Sequence, residues 1–402
     1  MHPPCYNPGD PNDCRKGRSI VFQHPFRFIL AALIVSAGTG VQAENGAIPP
    51  PPPIAAAAYI LMDANSGRVL AEQNADTQLE PASLTKMMTA YITFGELSQN
   101  RLQLDDMVTI SAKAASAEGS RMFAEPGSSV AVENLIKGMI IQSGNDSSIA
   151  LAERIGGDEV RFTERMNETA RQLGMTQTHY VNSMGLPAPD HYTSARDVAT
   201  LARALIREFP EYYKWHAIKE FTYNNIKQGN RNRLLWQDPT VDGIKTGHTK
   251  GAGYCLAASS VRDNMRLISV VMGAKSDKLR ASSNADLLNY GFKHFETRQL
   301  YQGKIKLTEA HVWKGAQSNI PAGLRQDFHV TFPRGQYDGL KASMEVDNKS
   351  IAPIDAGARL GEVKVTLNDQ VIARDDLVAL ESVARGGLFK RLFDELAMLI
   401  KR

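Results

Sequence analysis

Ser83-Leu84-Thr85-Lys86 sets a hydroxyl and an amine three positions apart, a spacing that serves chemistry when the segment is helical. On a helix, positions i and i+3 are surface neighbours, with Cβ atoms roughly 5–6 Å apart. An uncharged amine at that distance takes the proton of a serine hydroxyl and turns a weak nucleophile into a competent one. The flanking residues agree with a helix. Pro81 suits a helix start, and Met87, Met88, Tyr91 and Ile92 continue an apolar face beyond it. Ser83 is therefore expected in the first turn, where the positive end of the helix dipole favours developing negative charge.

Two further motifs stand downstream, Ser143-Gly144-Asn145 and Lys245-Thr246-Gly247. The Ser-x-Asn pattern alone is cheap, since Ser98-Gln99-Asn100 and Ser282-Ser283-Asn284 satisfy it too; Lys-Thr-Gly occurs once. The order Ser-x-x-Lys, Ser-x-Asn, Lys-Thr-Gly is the set carried by penicillin-binding proteins and class A β-lactamases. The wording around it, Glu80-Pro81-Ala82-Ser83-Leu84-Thr85-Lys86-Met87-Met88-Thr89 and Val241-Asp242-Gly243-Ile244-Lys245-Thr246-Gly247-His248-Thr249, narrows the match. It resembles the low-molecular-mass penicillin-binding proteins that act as serine-type D-alanyl-D-alanine carboxypeptidases. The resemblance runs from about Ala56 to Tyr290, and more loosely to the C-terminus.

That resemblance implies an α+β fold. A penicillin-binding or β-lactamase-like transpeptidase domain, with a helical part and an antiparallel sheet covered by helices, would occupy residues 58–296. It also implies roles. Ser83 attacks the penultimate D-alanine carbonyl of a peptidoglycan pentapeptide stem, and β-lactam antibiotics acylate the same atom. Lys86 acts as base, kept neutral by burial and by the nearby Lys245 cation. Ser143, held between Lys86 and Lys245, passes a proton to the leaving amine, and Asn145 binds the substrate amide. Lys245 and Thr246 meet the terminal carboxylate, and Gly247 lets the substrate backbone approach. Backbone N–H groups of Ser83 and His248 form the oxyanion hole. Arg280 matches by position an arginine that helps bind the carboxylate, against the bland reading of a surface salt bridge. Arg231 is a weaker candidate of the same kind.

The chain has 402 residues and a formal net charge of +3, enough length for two domains. No basic stripe interleaved with aromatics points to nucleic acid. An apolar run, Phe28-Ile29-Leu30-Ala31-Ala32-Leu33-Ile34-Val35, follows a basic stretch and leads to Val41-Gln42-Ala43. This is the layout of a secretory leader over 1–43, and it is shorter than the ~20 residues a membrane span needs. Its Arg15, Lys16, Arg18 and Arg27 stand against Asp10 and Asp13, so removal lowers +3 to +1. Cys5 and Cys14 leave with it, and Cys255, in an apolar strand-like run, stays as a small core residue without an intrachain disulfide partner.

A Pro/Ala-rich tether follows over 44–57, then a strand, turn and strand at 59–71. Helices are expected over 132–141, 147–155, 197–208 and 286–295, and a buried strand at 267–273. Near Arg298 the text changes to short alternating runs, so residues 297–385 read as a small all-β module, a sandwich. Residues 386–402 form an amphipathic helix, with Leu388, Phe389, Leu392, Phe393, Leu396, Leu399 and Ile400 on one side. It is too short and charged to span a bilayer, which leaves a helix lying in the membrane surface or one docked on the β-module. The family resemblance tips this toward the membrane, and so toward a peripheral location on the periplasmic face of the inner membrane. His179 and His191 flank a polar loop without metal-ligand spacing, and neither metal nor cofactor is expected. Competing readings are a D,D-transpeptidase or endopeptidase on the same site, a β-lactamase, and a scaffold that has lost activity.

Overall fold

The computed structural model describes residues 48–400. The leader expected over 1–43, with Cys5 and Cys14, lies outside the described residues, as do Lys401 and Arg402. A five-stranded antiparallel sheet organises the first domain. Its strands are β1 (Ala58–Asp63), β2 (Val69–Gln73), β3 (Val241–Thr249), β4 (Gly253–Arg262) and β5 (Met265–Ala274), in the order β2-β1-β5-β4-β3. The first two strands thus join the last three across a helical insertion of more than 160 residues, which the chain order alone does not reveal.

The inner strands are apolar throughout because both faces of the sheet are covered. Successive side chains of a strand point to opposite faces. Ala58, Ile60 and Met62 enter one core cluster, with Ile268, Val270 and Met272 from β5. Tyr59, Leu61, Leu267 and Val271 enter the other. The first face is capped by α1 (Lys86–Ser98), α2 (Val132–Ile141), α3 (Asn145–Gly156), α4 (Glu159–Gln172) and α5 (Ala195–Glu208), and the second by α6 (Asp277–His294). In α5, Ser194 caps the N-terminus by accepting from Asp197 N, and Val198, Leu201, Ala202 and Leu205 form the buried stripe. Cys255 is buried in the first cluster.

Two helices differ from expectation in ways that matter for the site. Ser83 sits not in an α-helix but in a 3₁₀ turn, Ala82–Thr85, and α1 begins at Lys86. In a 3₁₀ turn the side chains at i and i+3 eclipse, so the pair faces the same way more strictly than in an α-helix. Helix α6 starts at Asp277, nine residues before 286, because Ser276 caps it by accepting from Leu279 N. Its first turns are polar and carry no apolar period, yet they bury Arg280.

The C-terminal domain is all-β. Strands β6 (Phe295–Tyr301), β7 (Thr308–Trp313), β8 (Asn319–Gly323), β9 (Phe328–Pro333), β10 (Leu340–Val346), β11 (Arg359–Leu367) and β12 (Gln370–Ala379) make it up, with a short strand at Ser350–Ile351. A six-stranded sheet runs β10-β11-β12-β8-β7 and ends on that short strand, while β6 pairs with β9. Val330 and Phe332 of β9 share a core with Val363, Val365 and Leu377 of the larger sheet. The chain ends in α7 (Leu388–Ile400), whose Leu388, Phe389, Leu392, Phe393, Leu396 and Leu399 are 53–83 % exposed. Its polar side is tied to the β-domain: Lys314 N donates to Asp394 Oδ2 at 2.6 Å, and Lys390 Nζ to Ser318 Oγ at 2.9 Å.

Candidate active site

The three motifs converge on one cleft of about 440 Å³, lined by Ser83, Ser143, Thr246, Gly247 and His248, with Arg280 and Arg231 at its side. The 3₁₀ turn before α1 forms one wall, the turn between α2 and α3 another, and edge strand β3 the third. Two residues on these walls hold left-handed backbone without being glycine: Ala82 at φ 47° and Ser143 at φ 64°. Such positions cost about 1–2 kcal/mol and persist where surrounding contacts over-determine them.

Lys86 Nζ lies 2.9 Å from Ser83 Oγ and donates to the carbonyl of Met184 at 2.5 Å. It is 1 % exposed. Burial lowers its pKa to about 7; Arg231 pushes further in that direction and Asp146 opposes it. The expected cation, Lys245, and Lys86 repel one another, and Arg231 adds a further cation that the motifs do not contain. Lys245 is itself held well below the ordinary lysine value, first by burial and then by Lys86, Arg231 and Arg280. Its Nζ donates to Ser143 Oγ at 2.9 Å and to Thr246 O at 3.0 Å. Ser143 is therefore held by Lys245, and no hydrogen bond joins it to Lys86 among the described residues.

The other motif residues serve partly as scaffold. Asn145 donates its side-chain N–H to Glu118 O at 2.5 Å, and its backbone N–H to Ser120 O at 2.7 Å. Gly247 is needed by the chain's own turn, since a Cβ there would lie 3.1 Å from Pro81 O and 3.2 Å from Ser83 N. This contact brings the Ser83 amide beside β3. The His248 ring is exposed at the rim and lies 4.0 Å, centroid to centroid, from Tyr254. Arg280 is only 6 % exposed, so the surface-salt-bridge reading fails on burial. Its Nη1 donates to Gly247 O at 3.0 Å and Cys255 O at 3.3 Å, and Nη2 to Asp277.

Several contributors carry no motif. Met184 acts through its carbonyl, which no side-chain pattern announces. The loop that presents it is folded by Asn182, whose Oδ1 accepts from the N–H groups of Met184, Gly185 and Leu186. Asp146, buried at the start of α3, accepts from the N–H groups of Met122, Phe123 and Ala124 and so pins the loop that brings Ser120 into the cleft. An acid in a first helical turn was a readable signal for that anchor. His191 accepts from Val181 N at its Nδ1, which leaves Nε2–H to donate to Thr85 Oγ1 at 2.9 Å. No three His, Cys, Asp or Glu side chains come together as a metal site among the described residues.

Residues 45–276 match the family described as D-alanyl-D-alanine carboxypeptidase, and residues 295–385 match the penicillin-binding protein 5 C-terminal domain. The chain is 42% identical over 390 residues to D-alanyl-D-alanine carboxypeptidase DacC of Escherichia coli K12, covering 95% of each chain. A crystal structure of penicillin binding protein 5 from Haemophilus influenzae superposes with a TM-score of 0.78 at 41% identity, over 83% of this chain and 99% of that one. Penicillin-binding protein D2 of Listeria monocytogenes, in an ampicillin-bound form, matches 60% of this chain and 98% of its own at 29% identity and a TM-score of 0.55. The chain therefore belongs to the D-alanyl-D-alanine carboxypeptidase family of serine hydrolases, with the penicillin-binding protein 5 type of C-terminal domain behind the catalytic one.

Proposed function

We propose that Ser83 of this enzyme removes the terminal D-alanine from peptidoglycan pentapeptide stems through an acyl-enzyme. The observation that carries this reading is the 2.9 Å approach to Ser83 Oγ of a buried Lys86 amine whose pKa burial lowers to about 7. The lone pair of Lys86 takes the hydroxyl proton as Oγ bonds to the penultimate D-alanine carbonyl. The Ser83 and His248 N–H groups face the resulting oxyanion across Gly247. Ser143 gives its proton to the departing nitrogen and takes in its place the one that Lys86 removed from Ser83, so that Lys86 ends neutral and Ser143 keeps a hydroxyl to which Lys245 donates. Thr246 and Lys245 donate to the terminal carboxylate, and Arg280 and Arg231 supply positive charge beside them. The amide oxygen of Asn145 is the end left for a substrate N–H, since its nitrogen is engaged by Glu118. Water then cleaves the ester. β-Lactams acylate the same oxygen and stall there.

Incubation with a pentapeptide ending in D-Ala-D-Ala tests this by mass. Loss of one alanine supports it; a cross-linked dimer assigns a D,D-transpeptidase, and many turnovers of penicillin a β-lactamase. The pH dependence is a second check. Lys86 must be neutral to act, so the acylation rate should rise with pH and level off above a midpoint near 7. A rate flat from pH 5.5 to 8.5 would remove Lys86 from the role of base. Between about 7 and 10.5 the unfolded chain holds a proton on this lysine that the folded one lacks, so its contribution to stability improves as pH rises through that window.

For α7 we infer an in-plane seat on the membrane, which makes the exported enzyme peripheral. No helix among the described residues is long and apolar enough to cross a bilayer. The polar side of α7 is used up on the β-domain, which directs six large apolar side chains outward. Fully burying one such side chain contributes roughly 1.5–3 kcal/mol. Phe389→Asp with Leu392→Asp should therefore cut partition into phosphatidylglycerol vesicles by about 100-fold, read by co-sedimentation. Unchanged partition would mean that α7 is not the anchor.

A further inference from the structure

We propose that a second cleft, between α5 and the β-domain, binds a multivalent oxyanion of the phosphate class. It measures about 540 Å³ and is walled by Arg203 and Arg207 on one side and Lys304 and Arg325 on the other. Asp327 is the one carboxylate at its edge, and that group is engaged by Gly303 N at 2.9 Å. Arg203 is half-buried and fixed by donating Nε to Ala64 O at 2.7 Å and Nη2 to Asn65 O at 3.0 Å. Arg325 donates Nη2 to Gly357 O at 2.8 Å. These bonds position the guanidiniums; Asp63 acts on Arg203, and Asp375 on Arg325, from beyond ion-pair contact. Among the described residues, Arg203, Lys304 and Arg325 form no ion pair, whereas cations over much of the remaining surface do. Arg207 has only a 3.5 Å contact to Glu208, whose other oxygen accepts from Tyr91.

Four cations held around one concavity repel each other and raise a positive potential inside it. An oxyanion relieves that repulsion. Guanidinium forks match the oxygens of a phosphate, and lysine adds a point charge. The volume admits more than a single phosphate. Such a ligand would tie the catalytic domain to the β-domain, because its partners come from both.

A phosphate of this kind comes either from a lipid headgroup or from a free or wall-borne anion. Helix α7 docks at Lys314 and Ser318, in the turn between β7 and β8. The cleft lies at the opposite end of that hairpin, where residues 303–304 meet 325–327. Six residues of strand span about 20 Å. With α7 on the membrane, the cleft is held away from the headgroups, which favours the free or wall-borne source. That choice of source rests on the membrane reading of α7; the anion site itself does not.

The probe is inorganic pyrophosphate, titrated calorimetrically into the purified protein at low salt. Saturable one-site binding is expected, weakened at least 10-fold in Lys304→Glu with Arg325→Glu, and in the milder Lys304→Gln with Arg325→Gln. Penicillin labelling of Ser83 should stay within 2-fold in both pairs, since neither side chain reaches the first cleft. Arg231→Ala, which alters that first cleft, should leave pyrophosphate affinity unchanged. Absence of saturable binding, equal affinity in the double variants, or loss confined to Arg231→Ala overturns the proposal. Binding to phosphatidylglycerol vesicles should be unaltered in the double variants, and its loss would overturn the free-anion source in favour of a headgroup.

Discussion

Lys86→Met should lower the acylation of Ser83 by roughly 10³-fold or more, while the melting temperature stays close to that of the parent. Methionine keeps the length and removes the lone pair. Proton transfer by a positioned base contributes about 10²–10⁴-fold, and without it Ser83 must ionise unaided. Two stability terms oppose each other. The Met184 carbonyl loses a donor, which costs roughly 1–3 kcal/mol, but an amine that burial disfavours in its charged form is gone. Stopped-flow labelling with a fluorescent penicillin, run beside thermal unfolding, separates chemistry from folding. A variant that acylates within 10-fold of the parent would show that some other group takes the proton.

The second large effect is expected at a residue that performs no chemistry. Gly185→Ala should destabilise the protein by about 3 kcal/mol or more and lower acylation at least 10-fold. Gly185 has φ +91°, where an L side chain is strained. A Cβ there would lie 1.8 Å from Ala82 O and 2.9 Å from Thr85 Oγ1. The neighbours are backbone and a buried hydroxyl, so they yield only if the nucleophile turn or the Met184 carbonyl moves. Either shift separates Ser83 from Lys86. A fall in melting temperature of about 5–10 °C is the corresponding thermal signature. If the variant melts and acylates like the parent, the loop does not brace the nucleophile turn.

The reading from sequence succeeded where chemistry is confined to a short stretch. The Ser83–Lys86 spacing, the Lys-Thr-Gly strand and the all-β character from residue 297 on follow from local pattern, because period and turn chemistry act over a few residues. It fell short where polar groups organise polar groups. The first turns of α6 show no apolar period, so the helix was expected nine residues late and the burial of Arg280 went unseen. Lys245, the cation expected beside Lys86, is there and the two repel, but Arg231, which enters the cleft from a separate loop and stands in none of the three motifs, adds to the depression of both.

What the amino-acid order determined alone is the set of reactive groups: a serine with an amine one turn away, a second serine, and a lysine on a strand. Their approach to one another was decided by the sheet, which pairs β1 with β5 across the long helical insertion and leaves β3 as the edge facing the 3₁₀ turn. Only that closure buries Lys86 and Lys245 together, and burial is what makes an ordinary ammonium into a base. A side chain's type is written in one position, but its desolvation depends on every segment packed around it.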